Sequence, residues 1–188
     1  MIVVHPKDPS TRFLSLIYEE LEDVQFFDSI EQKEQMLYAI ENAPKEEMVL
    51  LLGHGTPNGL LCGLITDDDA SILKDRPNLI GIWCYASTYA LRHRLKGFFC
   101  GMFISEWTEA VDNNIEASPD EIEDAAWDFA GRFGELLREG YTMDDIVKEL
   151  MNPCFRVNPL TVFNYSRLTY REQGNEPLPV EEDYWGFE

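Results

Sequence analysis

The chain has 188 residues, 45% of them hydrophobic, and a formal charge of −20 at pH 7. That hydrophobic fraction belongs to a folded protein, and the length is that of one domain of about 100 to 200 residues with room for a terminal extension. The acidic balance repels phosphate backbones and anionic lipid headgroups, which argues against nucleic acid and membrane surfaces as direct partners and leaves a cationic partner or plain solubility as its purpose.

In chain order, the β-branched run Ile2 to Val4, ended by His5 and Pro6, predicts a first strand. Asp8 as N-cap and Pro9 at the first position then open a helix, with Phe13, Leu14, Ile17 and Leu21 at helical spacing. Val24 to Phe27 reads as a second strand, and Ser29 with Gln32 is a capping box that starts a helix closed by Pro44. Met48 to Leu52 is a continuous apolar run, the pattern of a strand covered on both faces in a parallel sheet. After His54 and Gly55 the segment 56–59 is a turn, and 60–66 a short strand or hairpin arm. Residues 67–75 suit a helix, 78–83 a fourth strand, 87–97 its following helix and 98–105 a fifth strand. Ser118, Pro119 and Glu121 start the longest helix, whose apolar stripe of Ile122, Ala125, Ala126, Phe129, Phe133, Leu136 and Leu137 ends at Gly140. A further helix covers 142–152, and Leu160 to Phe163 and Leu168 to Tyr170 read as short strands. Strands alternating with helices predict an α/β fold, a three-layer α/β/α sandwich around a mostly parallel sheet, in one domain over 1–173 with an acidic tail over 174–188. The tail is expected to be loose unless Tyr184, Trp185 and Phe187 dock.

No apolar run approaches the roughly 20 residues that span a bilayer, and the first residues lack a basic leader with a cleavage site. The expectation is a cytoplasmic protein with Cys62, Cys84, Cys100 and Cys154 as free thiols. No two cysteines have C-x-x-C spacing, and His5, His54 and His93 do not cluster, so neither a metal nor another cofactor is expected.

His54 and Cys84 each end a buried strand, on the edge where α/β sheets gather ligands. An imidazole beside a thiol can take its proton and return it during acyl transfer. Gly55, lacking Cβ, lets its backbone N–H approach a carbonyl as an oxyanion donor, with the Cys84 N–H as a second. Against this stand the plain readings, a packed cysteine and a polar loop histidine.

The blocks Val49 to Gly55 (VLLLGHG) and Leu79 to Ser87 (LIGIWCYAS) resemble the caspase-like (clan CD) cysteine peptidases, a group that includes caspases, metacaspases, legumain, clostripain, gingipains, separase and the bacterial CHAT domains. The resemblance covers Met1 to Glu106 and implies a caspase-type α/β/α sandwich, with His54 as general base and acid, Cys84 as nucleophile and Gly55 as oxyanion donor. It also places the wall of the substrate pocket after the fifth strand, making Ser105, Glu106 and Asp112 candidates; an acidic wall would favour a basic residue before the scissile bond. The chain departs from the family at Trp83, where many members have a small residue, and at Tyr85, which is expected to crowd the oxyanion region. The implied function is a bacterial, cytoplasmic cysteine hydrolase acting on a peptide or protein. The alternatives are an inactive interaction module on the same fold and a flavodoxin-like or TIR-like nucleotide-binding domain.

Other marked residues have readings of their own. His5 is a strand-to-helix connection or a group behind the site, and His93 lies on a solvated basic helix face. Cys62 is a core residue or a redox partner of Cys84. The acidic run 67–69 is a helix start rather than a calcium site. Tyr165, Arg167, Tyr170 and Arg171 form an edge strand or a partner surface.

Overall fold

The computed structural model describes residues 1–172, apart from the side chain of Cys62. Its centre is a six-stranded sheet made of β1 (Ile2–Val4), β2 (Gln25–Phe27), β3 (Val49–Leu52), β6 (Leu79–Ile82), β7 (Gly97–Cys100) and β8 (Leu168–Arg171). The order is β2-β1-β3-β6-β7-β8, parallel throughout except for β8, which runs antiparallel to β7 at the edge. A separate hairpin, β4 (Gly55–Thr56) and β5 (Gly59–Leu60), stands beyond the end of β3.

The apolar runs explain which strands are central. Every residue of β1, β3, β6 and β7 is buried, while Gln25 and Phe26 of the edge strand β2 are exposed. Three helices follow the sheet in sequence: α1 (Lys33–Asn42), α2 (Ala70–Leu73) and α3 (Ala86–His93). Their crossovers advance in one direction across the sheet, whereas the β1-to-β2 crossover, carrying a 3-10 helix (Pro9–Ile17), goes the other way. Right-handed connection therefore places that 3-10 helix on the opposite face. There it packs against the 20-residue helix α5 (Pro119–Arg138), which also meets α6 (Met143–Leu150) and α7 (Pro159–Ser166). The outcome is a three-layer α/β/α sandwich, as the alternating pattern predicted.

Phe98 of β7 meets Phe133 of α5 edge-on at 5.6 Å between ring centres, so the stripe read from the sequence is the surface that seals this layer. At the far end of the sheet, the buried Arg76 donates to the carbonyls of Ile40, Ala43 and Pro44, closing the C-terminus of α1.

Five local expectations change. The helix opened by Asp8 and Pro9 is a 3-10 helix that ends at Ile17, so Leu21 lies beyond it. Leu160 to Phe163 lie in α7 and not in a strand, because Asn158 caps the helix through the Thr161 N–H with Pro159 at its first position, and these start signals outweigh the β-branched content. Segment 60–66 yields only the two-residue β5, a 3-10 turn (Leu61–Gly63) and a bridge from Leu60 to Ile65. The fifth strand of the sheet, β7, stops at Cys100, and helix α4 (Trp107–Asp112) follows, opened by a capping box between Glu106 and Glu109. His93 is not simply solvated: its Nε2 lies 2.6 Å from Asp67 Oδ1 and its ring 4.5 Å from that of Tyr89. The acidic run is likewise occupied, Asp67 by Arg92 and His93 and Asp69 by Lys33 at 2.8 Å. The acidic tail, with Tyr184, Trp185 and Phe187, lies outside the described residues, as does the question of Cys62 as a redox partner. Among the described residues no helix is long and apolar enough to cross a membrane.

Candidate active site

The register of β3 and β6 positions the two residues that the sequence singles out. Leu52 pairs with Ile82, and the Gly53 N–H still reaches the Ile82 carbonyl at 3.0 Å. His54 and Cys84 each follow that pair by two residues, so they leave neighbouring parallel strands, themselves about 4.8 Å apart, at the same level.

Cys84 occupies a sharp strand-to-helix turn. Tyr85 adopts a left-handed backbone (φ +69°, ψ 22°), its N–H donating to Gly101, and α3 begins at the next residue. Such a conformation costs a bulky residue about 1–2 kcal/mol, which the surrounding packing must hold in place. The half-buried thiol has two acceptors in reach of its single proton, the Phe103 carbonyl at 3.7 Å and Glu109 Oε1 at 3.8 Å. Burial pushes the Cys84 thiol up to about 11, and the Glu109 carboxylate adds to the effect. In this state the sulfur is a protonated thiol, not a thiolate.

His54, half-buried, turns to the other side. Its Nε2 lies 2.6 Å from Ser10 Oγ, and the Ser10 hydroxyl lies 2.6 Å from Asp8 Oδ1. No hydrogen bond joins His54 to Cys84. The structure thus brings the two residues to adjacent strand ends and gives each a different partner. Asp8 caps the 3-10 helix through the Ser10 N–H at 2.9 Å, as the Asp-Pro start signal requires. The Ser10 hydroxyl and amide hold its carboxyl below the usual carboxylate range.

Gly55 has a steric duty at this site. A Cβ there would fall 1.9 Å from Trp83 Cδ1, because the buried indole lies directly beneath the glycine and donates from Nε1 to the Thr56 carbonyl at 3.2 Å. Trp83, the departure from the small residue of the resembled family, is accommodated by this glycine. The Leu61 N–H bonds the His54 carbonyl, which makes Gly55 and Leu60 a non-hydrogen-bonded pair and turns the Gly55 N–H away from β5. Gly55 keeps an outward-facing amide as well as the space for the indole. Cys100, next door in β7, is buried and donates to the Trp83 carbonyl at 3.1 Å, a packing role.

A cleft of about 590 Å³ opens beside the 3-10 helix, α4 and α5; His54, Gly55 and Cys84 do not line it, and it reaches them only through their neighbours. Its lining includes Ser10, which holds His54, and Ser105, whose N–H donates to Glu109 at 2.8 Å. Glu106, Glu123, Trp107 and Trp127 line it too, and so does Arg12. Ser105 and Glu106, expected from the resemblance in a pocket wall, both line this cleft. Asp112 does not: it is exposed at the last turn of α4, outside the lining, and the acid that α4 turns toward Cys84 is Glu109. A larger cavity of about 710 Å³, bordered by Met1, Gln25 and Glu47, opens at the opposite ends of the strands, away from both residues.

His5 resolves as a connector. It is 5% exposed, with Nδ1 2.9 Å from Tyr18 Oη and Nε2 3.2 Å from Thr11 Oγ1, and it ties β1 to the helix that carries Ser10. Burial lowers its pKa to about 4, so it is neutral at physiological pH. Compared with known proteins, the chain matches no family model, no curated protein and no solved structure.

Proposed function

We propose that this chain is a caspase-like cysteine hydrolase, a peptidase that forms an acyl-enzyme on Cys84 with His54 as its base. The observation that carries the reading is the register, which sets His54 and Cys84 at one level past adjacent parallel strands on the ligand-binding edge of the sheet. A thiol near 11 is a poor nucleophile at neutral pH, so its proton must move to His54 as the sulfur–carbon bond forms. The outward Gly55 N–H suits the developing oxyanion. Collapse then breaks the carbon–nitrogen bond, His54 returns the proton to the leaving amine, and water hydrolyses the thioester, restoring the thiol.

The substrate class is a peptide or protein with a basic residue before the scissile bond. Glu106 and Glu123 supply counter-charge, and Trp107 and Trp127 offer faces for a guanidinium or ammonium group, against the single opposing charge of Arg12. The test is covalent labelling with two peptidyl acyloxymethyl ketones, one ending in Arg and one in Asp, followed by intact mass and peptide mapping. The expected result is a single adduct on Cys84, faster with the Arg reagent and lost in His54→Ala. Native protein that leaves Cys84 unlabelled by both reagents overturns the reading. One observation favours an interaction module instead, namely that the acceptors in reach of the thiol are Glu109 and the Phe103 carbonyl and not His54; the unlabelled outcome would support it.

A further inference from the structure

We propose that Asp8 and Ser10 form a positioning pair for His54, holding its imidazole as the Nε2–H tautomer and leaving Nδ1 as the nitrogen that accepts a proton. The proposal deepens the reading of His54 as a base, and it stands on two contacts in series. Asp8 Oδ1 to Ser10 Oγ is 2.6 Å, and Ser10 Oγ to His54 Nε2 is 2.6 Å. A carboxylate only accepts hydrogen bonds, so the single hydroxyl proton of Ser10 points to Asp8. The Ser10 oxygen is then an acceptor toward His54, and Nε2 must be the donor. Nδ1 has no hydrogen-bond partner among the described residues, and it keeps its lone pair. The nitrogen that carries the proton in a histidine is set by the bond the other nitrogen makes, and here the direction of the chain sets it.

The arrangement is also anchored mechanically. Asp8 is locked by the Ser10 N–H at 2.9 Å as the cap of its helix, and His5 pins that helix through Thr11 and Tyr18. The pair is thus carried by the β1 connection, which the sheet order places beside β3, and it reaches His54 across 44 residues of sequence. Helix capping by itself needs no imidazole: Asp8 would cap through the Ser10 amide whether or not the hydroxyl met His54.

Nitrogen-15 NMR of histidine-labelled protein at pH 8 reads the tautomer directly. Wild type should show His54 as Nε2–H, with the Nε2 proton shifted downfield and slow to exchange. Ser10→Ala should lose that protected proton, Asp8→Asn should move it upfield, and Ser10→Thr should restore it. His5, held by Thr11 in the same segment, serves as an internal monitor that the helix is intact in each variant. A wild-type Nδ1–H tautomer, or an Nε2 proton unchanged in Ser10→Ala with His5 undisturbed, overturns the proposal. Because the readout needs no turnover, it can fail while Cys84 is labelled, or hold while Cys84 is inert, which separates it from the hydrolase reading.

Discussion

Lowering the pH should unload the first strand-to-helix connection through His5, and the size of the loss follows from its burial. The imidazole titrates at 6.5 when free and at about 4 in the fold, where desolvation disfavours the cation. Between these values the unfolded chain binds a proton that the folded chain refuses, so stability falls as pH falls from 6.5 toward 4. Above pH 6.5 both states are neutral at His5 and it contributes no slope. At about 1.4 kcal/mol per tenfold change in the equilibrium, the full loss is about 3 kcal/mol by pH 4. That is a large part of the 5–15 kcal/mol typical of a domain. Urea unfolding from pH 7.5 to 4.5, run on wild type and His5→Asn, isolates the residue, since carboxylate effects are shared. His5→Asn should be the less stable protein at pH 7.5, having lost ring packing, and the gap should narrow with acid by most of those 3 kcal/mol. A gap that stays constant across the range would show that His5 is not held neutral by burial, and the reasoning would fail.

Three further outcomes follow from the site. Gly55→Ala drives a methyl group to within 1.9 Å of Trp83 and should cost roughly 1–3 kcal/mol, part of it recovered in combination with Trp83→Leu; thermal unfolding that matches wild type would refute the close fit. Iodoacetamide at pH 7.5 should alkylate Cys84 about 100-fold more slowly than an unstructured cysteine peptide, because the thiol sits near 11 instead of 9.0 and its thiolate fraction falls in proportion; equal rates would mean that the thiol is not held protonated. Glu109→Gln keeps the capping acceptor for the Ser105 and Glu106 amides and removes a charge facing Cys84. It should speed that alkylation by less than tenfold, burial being the larger cause, and a jump to the rate of the free peptide would reverse the ranking.

The sequence was most informative where a single physical rule dominated. Val49 to Leu52 and Leu79 to Ile82 are apolar without a break, and runs this short suit the middle of a sheet covered on both faces. Helix α5 announced its start through Ser118, Pro119 and Glu121 and its buried face through period. Helix α4 was hidden because its N-cap is Glu106, a residue outside the usual Ser, Thr, Asp and Asn set, and with α4 unseen Glu109 could not be placed against Cys84. His54 and Cys84 were legible because both end buried strands. Ser10 carried one overlooked signal: Asp8-Pro9-Ser10 follows the first strand and so lies on the same edge of the sheet as His54. What period and capping rules cannot convey is which polar groups on that edge touch, since this depends on the angle at which each loop leaves its strand.

The site divides its work between sheet and loops. Strand register sets where His54 and Cys84 stand, and a shift of one residue in β3 or β6 would turn every buried side chain of that strand to the opposite face, so position is protected by the whole core. The connections supply the polar neighbours: Asp8 and Ser10 meet His54 from the first, and Glu109 and the Phe103 carbonyl meet the Cys84 sulfur from the segment after β7. Asp8 is exposed and Ser10 and Glu109 are half-buried, so exchanging these three side chains leaves the core untouched, whereas Phe103 belongs to it. Substitutions outside the sheet can therefore tune the Cys84 thiol, within the limit that its burial sets. Asp8→Asn acts on the imidazole and Glu109→Gln on the sulfur, through neighbours that are separate in the fold. Their effects on Cys84 reactivity should add in the double variant if the imidazole does not touch the thiol at rest, and depart from additivity once a substrate in the cleft makes His54 the acceptor of the thiol proton.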